Sequence, residues 1–330
     1  MHPAFSVIFL TTLIGAGQGL FMALVTGEVY SLANLLAPQD NVSFYGMGSL
    51  LVTLLLVLGL VAAVFHLGKP SYFLTRAWRG MSQWRTSWLS RELIFLPVFT
   101  LVVILYGAAY YFGFTEPLFV IKDLIPVAPT LLLGVIGSLL SIVLFVSTAM
   151  IYASLRFLQE WHSPLTVANF ILFGLASGFT LAAAFSAWSG VELVGFFGTW
   201  AVIFTALAAI TRGLSMYRNR RIKHKSTMQT AIGVRHTKIQ QKSMGFMGGS
   251  FNTREFFHGA SDGFVATVKL FFVVMVFLIP VGLLGASNML ESAYLPMLAF
   301  AAQYIGLMAE RWYFFAEAKH PQNLYYQTVG

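Results

Sequence analysis

The chain has 330 residues, 58% of them apolar and only 10% charged, with a formal charge of +8. Soluble domains carry about 25% charged residues. A soluble enzyme, a disordered chain and a nucleic-acid-binding domain are therefore excluded, and the apolar stretches must lie in a bilayer.

A helix needs about 20 apolar residues to cross a hydrocarbon core of about 30 Å. Eight runs meet that length, near 5–36, 46–67, 89–112, 128–157, 167–188, 192–216, 263–286 and 294–316. They are continuous rather than alternating, so helices are expected and a barrel is not. The first run is long enough to span, and Met1–Pro3 lacks a basic region, so no cleavable signal peptide is expected. The gap from Trp188 to Glu192 predicts a tight hairpin between the fifth and sixth helices. Gly15, Gly17 and Gly19, with the pairs Gly134/Gly137 and Gly174/Gly178, are expected to let helices approach closely.

The sparse charges give an expected orientation. If the helices alternate, 19 of the 20 basic residues fall on one side, and Lys122 alone falls on the other. The positive-inside rule makes the basic side cytoplasmic and puts both termini there. The expected fold is thus an all-α polytopic membrane protein, a single anchor domain over 1–330. One long basic cytoplasmic loop, 217–262, joins helices six and seven. This loop reads either as a solvated or membrane-surface segment or as a docking surface for a cytoplasmic subunit. Phe251, Asn252, Arg254, Phe256, Phe257 and His258 set aromatics beside charge, which suits an interface. Gly245, Gly248 and Gly249 lack the following Lys-Ser/Thr of a phosphate loop.

Cysteine is absent, so no Fe–S cluster, thiolate zinc or c-type haem is held by this chain. The seven histidines (2, 66, 162, 224, 236, 258 and 320) all fall at or near the basic side. No helix interior offers a facing pair, so a b-type haem is not favoured, and His66 is its one candidate ligand. His66 closes the second run and Glu92 opens the third, which sets them at similar depth. A histidine and a carboxylate at the mouth of an apolar cleft suit quinone chemistry, which needs hydrogen-bond donors and two protons. Arg85 and Arg91 lie beside them as further candidates for quinone binding or proton transfer. The competing reading makes His66 a helix cap and pairs Glu92 with Arg85 or Arg91. Glu28 and Glu310 fall inside apolar runs, where a carboxylate must be paired or functional. Glu28 reads as part of a proton path or, preferably, as an interhelical hydrogen bond. The stretch Arg311–Phe315 reads first as an interfacial aromatic belt and second as the wall of a quinone cleft.

Several segments resemble the anchor-subunit family of dimethyl sulfoxide reductase. They are Phe65-His-Leu-Gly-Lys-Pro70, Arg76-Ala-Trp-Arg79, Trp84–Glu92, Met150-Ile-Tyr-Ala153, Trp161-His-Ser-Pro164, Glu310–Phe315 and His320–Tyr326. The resemblance runs nearly the whole chain in order. It implies the membrane anchor of a three-subunit molybdenum oxidoreductase in a bacterial cytoplasmic membrane. Partner subunits would carry molybdopterin and the Fe–S clusters, and the anchor would exchange electrons with ubiquinone or menaquinone. The family's quinol-site histidine and carboxylate would fall on His66 and Glu92. A cytoplasm-facing complex resembles the sulfite-oxidising branch. The alternatives are a quinol-oxidising reductase anchor and a secondary transporter. Against the transporter, no internal repeat is visible and the polar residues gather on one side.

Overall fold

The computed structural model describes residues 4–66, 78–121, 125–236, 238–239 and 261–319. These form a helical bundle. Helix α1 spans Phe5–Leu32, α2 Met47–His66, α3 Trp88–Tyr111, α4 Pro129–Ala153, α5 Pro164–Trp188 and α6 Val194–Asn219. A seventh rod is built from α7 (Asp262–Val273), a π-turn at Val274–Leu278 and α8 (Ile279–Leu290). Helix α9 spans Tyr294–Glu317. Seven of these are long and apolar enough to cross a membrane. The run expected as an eighth span forms helix α9, which carries Glu310, Arg311 and Glu317 and is not among those seven.

Local chemistry accounts for the ends. Ser87 and Ser163 accept backbone N–H bonds at the starts of α3 and α5. Pro129 and Pro164 occupy first-turn positions, where the missing N–H costs nothing. Helix α1 stops at Leu32, earlier than the apolar run predicts, because Asn34 takes a positive φ of 57° and turns the chain. The hairpin expected after Trp188 is there, with Gly190 at φ 69°. One departure from an all-helical fold is a small antiparallel ribbon between α3 and α4, Phe119–Ile121 with Ile125–Val127. It pairs short β-prone segments too brief for a helix.

Helix α5 is the hub and packs against α1, α4, α6 and α9. Its crossing with α1 is closed by glycine. A Cβ at Gly19 would fall on the Gly174 carbonyl, and one at Gly178 would fall on the Gly19 backbone. The expected close approach is therefore present. Gly137 instead makes room for the Phe21 ring.

The bundle has two distinguishable ends. Ile8 of α1 packs with Ala149, Leu158, Trp161 and Phe314, so the start of α1 meets the ends of α4 and α9. This basic end also holds the start of α5. At the other end, Glu28 of α1 meets Tyr106 of α3.

Pro280 removes the N–H that would satisfy the Val276 carbonyl four residues back. Gln303 of α9 supplies a replacement, with Nε2 donating to Val276 O at 3.3 Å and to Thr205 Oγ1 at 3.1 Å. In lipid such a freed carbonyl must find a partner inside the protein.

Candidate functional site

The α4–α5 connection frames the basic end. Trp161 Nε1 donates to Phe314 O at 2.8 Å, and its indole stacks on the Phe314 ring at 5.4 Å. Tyr152, Phe170 and Phe315 complete the aromatic cluster. Tyr313, Phe314 and Phe315 are all buried, so the interfacial belt expected at 311–315 is not found. The physical reason is packing on two sides of α9: the loop carrying Trp161 covers Phe314 and Phe315, and Phe272 of α7 covers Tyr313. Arg218 at the end of α6 donates to the carbonyls of Gln159 and His162, each at 3.0 Å. His162 Nδ1 lies 2.6 Å from Ala153 O, and His224 Nε2 lies 3.5 Å from Glu160 Oε1. Burial pushes the Glu160 carboxyl above its ordinary range.

Glu92 sits in the first turns of α3, buried, and accepts a 2.5 Å hydrogen bond from Thr148 Oγ1 of α4. Glu92 thus pairs with a hydroxyl, and the expected alternative of pairing with Arg85 or Arg91 is not what is found. Arg91 donates instead to the carbonyls of Trp84 and Arg85, at 2.9 and 3.0 Å, and stacks over Trp88 at 4.0 Å. Arg85 is exposed and lies over the Trp84 ring at 5.6 Å. These two arginines brace the turn that enters α3. His66 is the last residue of α2, at the same end of the bundle as Glu92. Its side chain, and Phe251, Asn252, Arg254, Phe256, Phe257 and His258, lie outside the described residues.

Sequence reasoning missed a buried ion cluster beside this site. Arg212 Nε lies 2.8 Å from Glu310 Oε1, and Arg311 Nε donates to Glu310 Oε2 at 2.8 Å. Arg212 Nη2 also lies 3.7 Å from Glu317 Oε2. Arg212 and Glu310 approach as charges, off the line of a hydrogen bond. Arg311 is held between rings, 4.1 Å from the Phe170 centroid and 5.1 Å from that of Phe314. Glu310 stands out in the sequence; its partner Arg212 lies 98 residues earlier in α6, and no local pattern links them.

Other polar and apolar features lie elsewhere. At the far end, Tyr106 Oη donates to Glu28 Oε2 at 2.9 Å, as the interhelical reading predicts. Tyr45 stacks on Tyr110 beside it at 4.7 Å. An apolar groove of about 510 Å³ runs between α1, α7 and α9, lined by Phe5, Phe264, Phe271 and Trp312 among others. None of its lining residues comes from α2, α3 or α4.

A haem would need axial ligands inside the bundle. Among the described residues no histidine lies inside a helix: His66 ends α2, and His162, His224 and His236 lie in connecting segments.

Two comparisons with known proteins bear on identity. The chain is 57% identical, over all 330 residues and the full length of both, to a sulfite dehydrogenase subunit of Allochromatium vinosum. The model of the DMSO reductase anchor subunit (DmsC) family matches residues 1–316. With its membrane-spanning helices and this match over nearly its whole length, the chain belongs to the DMSO reductase anchor subunit family.

Proposed function

We propose that this chain is the quinone-reactive membrane anchor of a three-subunit sulfite-oxidising complex. One observation carries the reading: a buried carboxylate, Glu92, is held by Thr148 where α3 begins, at the bundle end that also holds His66. Oxidation of sulfite to sulfate at the partner's molybdenum releases two electrons. These pass through Fe–S clusters of a second partner to a quinone at the basic end of the bundle. Reduction to quinol takes up two protons. His66 exchanges protons near neutral pH and Glu92 relays them. The thiol-free sequence agrees with clusters residing on the partners.

The direction of electron flow follows the relative, which is part of a sulfite dehydrogenase. A reductase anchor would run the same chemistry backwards. The soluble subunits sit on the basic, cytoplasmic face of a bacterial inner membrane. Docking uses the loop around Phe251–His258 and the ledge after α6, where Arg220, Arg221, Lys223 and Lys225 are exposed.

The test is sulfite-dependent quinone reduction by the complex purified intact from membranes. His66→Ala and Glu92→Gln should each abolish most quinone reduction while leaving sulfite oxidation with a soluble artificial acceptor intact. Unchanged quinone reduction in both variants would remove the site. A complex with its catalytic subunit on the outer face would remove the sulfite-oxidising orientation.

A further inference from the structure

Between helices α1, α5 and α9 lies a cavity of about 20 Å³ that no step of the quinone reading uses. Its polar lining comes from Thr11, Thr12, Ser177 and Arg311. A buried water needs at least about 10–15 Å³ and two to four polar partners. The space therefore admits one water-sized molecule, and the hydrogen-bonding inventory decides which.

Each hydroxyl has a single proton to donate. Thr11 Oγ1 gives its proton to Val7 O at 2.9 Å, and Thr12 Oγ1 gives its own to Ile8 O at 2.8 Å. Ser177 Oγ gives its proton to Phe173 O at 2.8 Å. All three protons are spent on carbonyls of the parent helices, and Thr12 Oγ1 also meets Tyr304 Oη at 3.2 Å; what remains free toward the cavity is lone pairs, chiefly those of Thr11 and Ser177. Arg311 shows the opposite need. Its Nε is satisfied by Glu310, but its buried Nη1 is a donor with no partner. Leaving such a group unpaired costs about 1–3 kcal/mol.

The occupant must accept from a guanidinium and donate to hydroxyl oxygens. A chloride or other simple anion accepts only, and would face three sets of lone pairs. A metal cation or ammonium would face the Arg311 charge. Water alone does both.

We propose that this cavity is a hydration site holding one water molecule, which accepts from Arg311 Nη1 and donates to the oxygens of Ser177 and of Thr11 or Thr12. The water ties α9 to the α1–α5 seam where Gly15 and Gly174 come together. It also fixes the guanidinium in the plane that faces Glu310.

The test is a density map at about 2 Å of the protein in lipid nanodiscs, at a resolution that shows other buried waters. The expected result is a peak at about 2.7–3.2 Å from Arg311 Nη1 and from at least one of the three hydroxyl oxygens. A Thr12→Val/Ser177→Ala variant should lose the peak or show it weakened, and its melting temperature should not respond to exchange of chloride for gluconate. If the variant fails to fold, the unaltered protein decides the matter. An empty site in that map overturns the proposal. So does a protein melting temperature that rises with chloride at constant ionic strength, which would assign the site to an anion.

Discussion

Arg212 and Glu310 approach to 2.8 Å with both side chains essentially sealed from solvent, joining α6 to α9 at the basic end of the bundle. Charges so placed are tolerated only because they compensate one another. Glu310 serves two guanidiniums, those of Arg212 and Arg311, so it is the keystone of the cluster.

Glu310→Gln should therefore be more damaging than a typical core substitution. Removing one partner of a buried ion pair costs about 3–5 kcal/mol. Arg212→Met should cost less, since Arg311 still compensates Glu310. The double variant Arg212→Met/Glu310→Leu should recover part of the loss seen for Glu310→Gln. Melting of the detergent-purified protein measures all three, and additive losses would refute the pairing.

Thr148→Val should act through Glu92. The substitution removes the hydroxyl donor of a buried carboxylate while nearly keeping its volume. Leaving a buried acceptor without its donor is expected to cost about 1–3 kcal/mol. In the assembled complex, quinone reduction should fall and its pH profile should move, while Thr148→Ser should restore both. A profile identical in all three proteins would show that Thr148 does not hold a reacting carboxylate.

Gln303→Leu should loosen the junction of α9 with the π-turn. The Val276 carbonyl would lose its substitute donor, at a cost of about 1–3 kcal/mol. The companion Pro280→Ala restores the backbone N–H, so the loss should be smaller in the double variant. Hydrogen exchange across 274–282 reports the effect locally, and equal protection in both proteins would contradict the repair role of Gln303.

Glu160 gives a pH prediction outside the membrane. Burial raises its folded-state pKa above the unfolded value, so the folded protein binds more protons in that interval. Its contribution to stability is then present below the ordinary glutamate range and is lost as pH rises through the raised folded value. The neighbouring Glu317 charge pushes in the same direction and His224 pushes against it. Glu160→Gln should flatten the fall in melting temperature over that window. A steeper fall in the variant would reverse the assignment.

Some of this was readable from residues alone. Continuous apolar runs in a chain with 10% charge dictate helices that cross lipid, because every backbone group must be satisfied within its own segment. The pairing of Glu28 with another helix and the tight glycine crossing were legible too, since a buried carboxylate and closely spaced glycines each admit few roles. Glu92 was found as a candidate because consecutive helices return to the same end.

What hydropathy does not separate is a residue facing lipid from one facing protein, because hydrocarbon and core are equally apolar. Tyr313, Phe314 and Phe315 look from the sequence like a belt, and only the packing of the Trp161 loop on one side of α9 and of Phe272 on the other buries them. Arg212 gives no local sign of its partner, and Thr148 gives none of Glu92, because 98 and 56 residues of chain separate each pair. The sequence alone determined that this protein is a bundle of membrane helices. The tertiary structure decided which polar groups meet inside it, since an unpaired charge or donor in that interior must find a partner wherever the packing brings one.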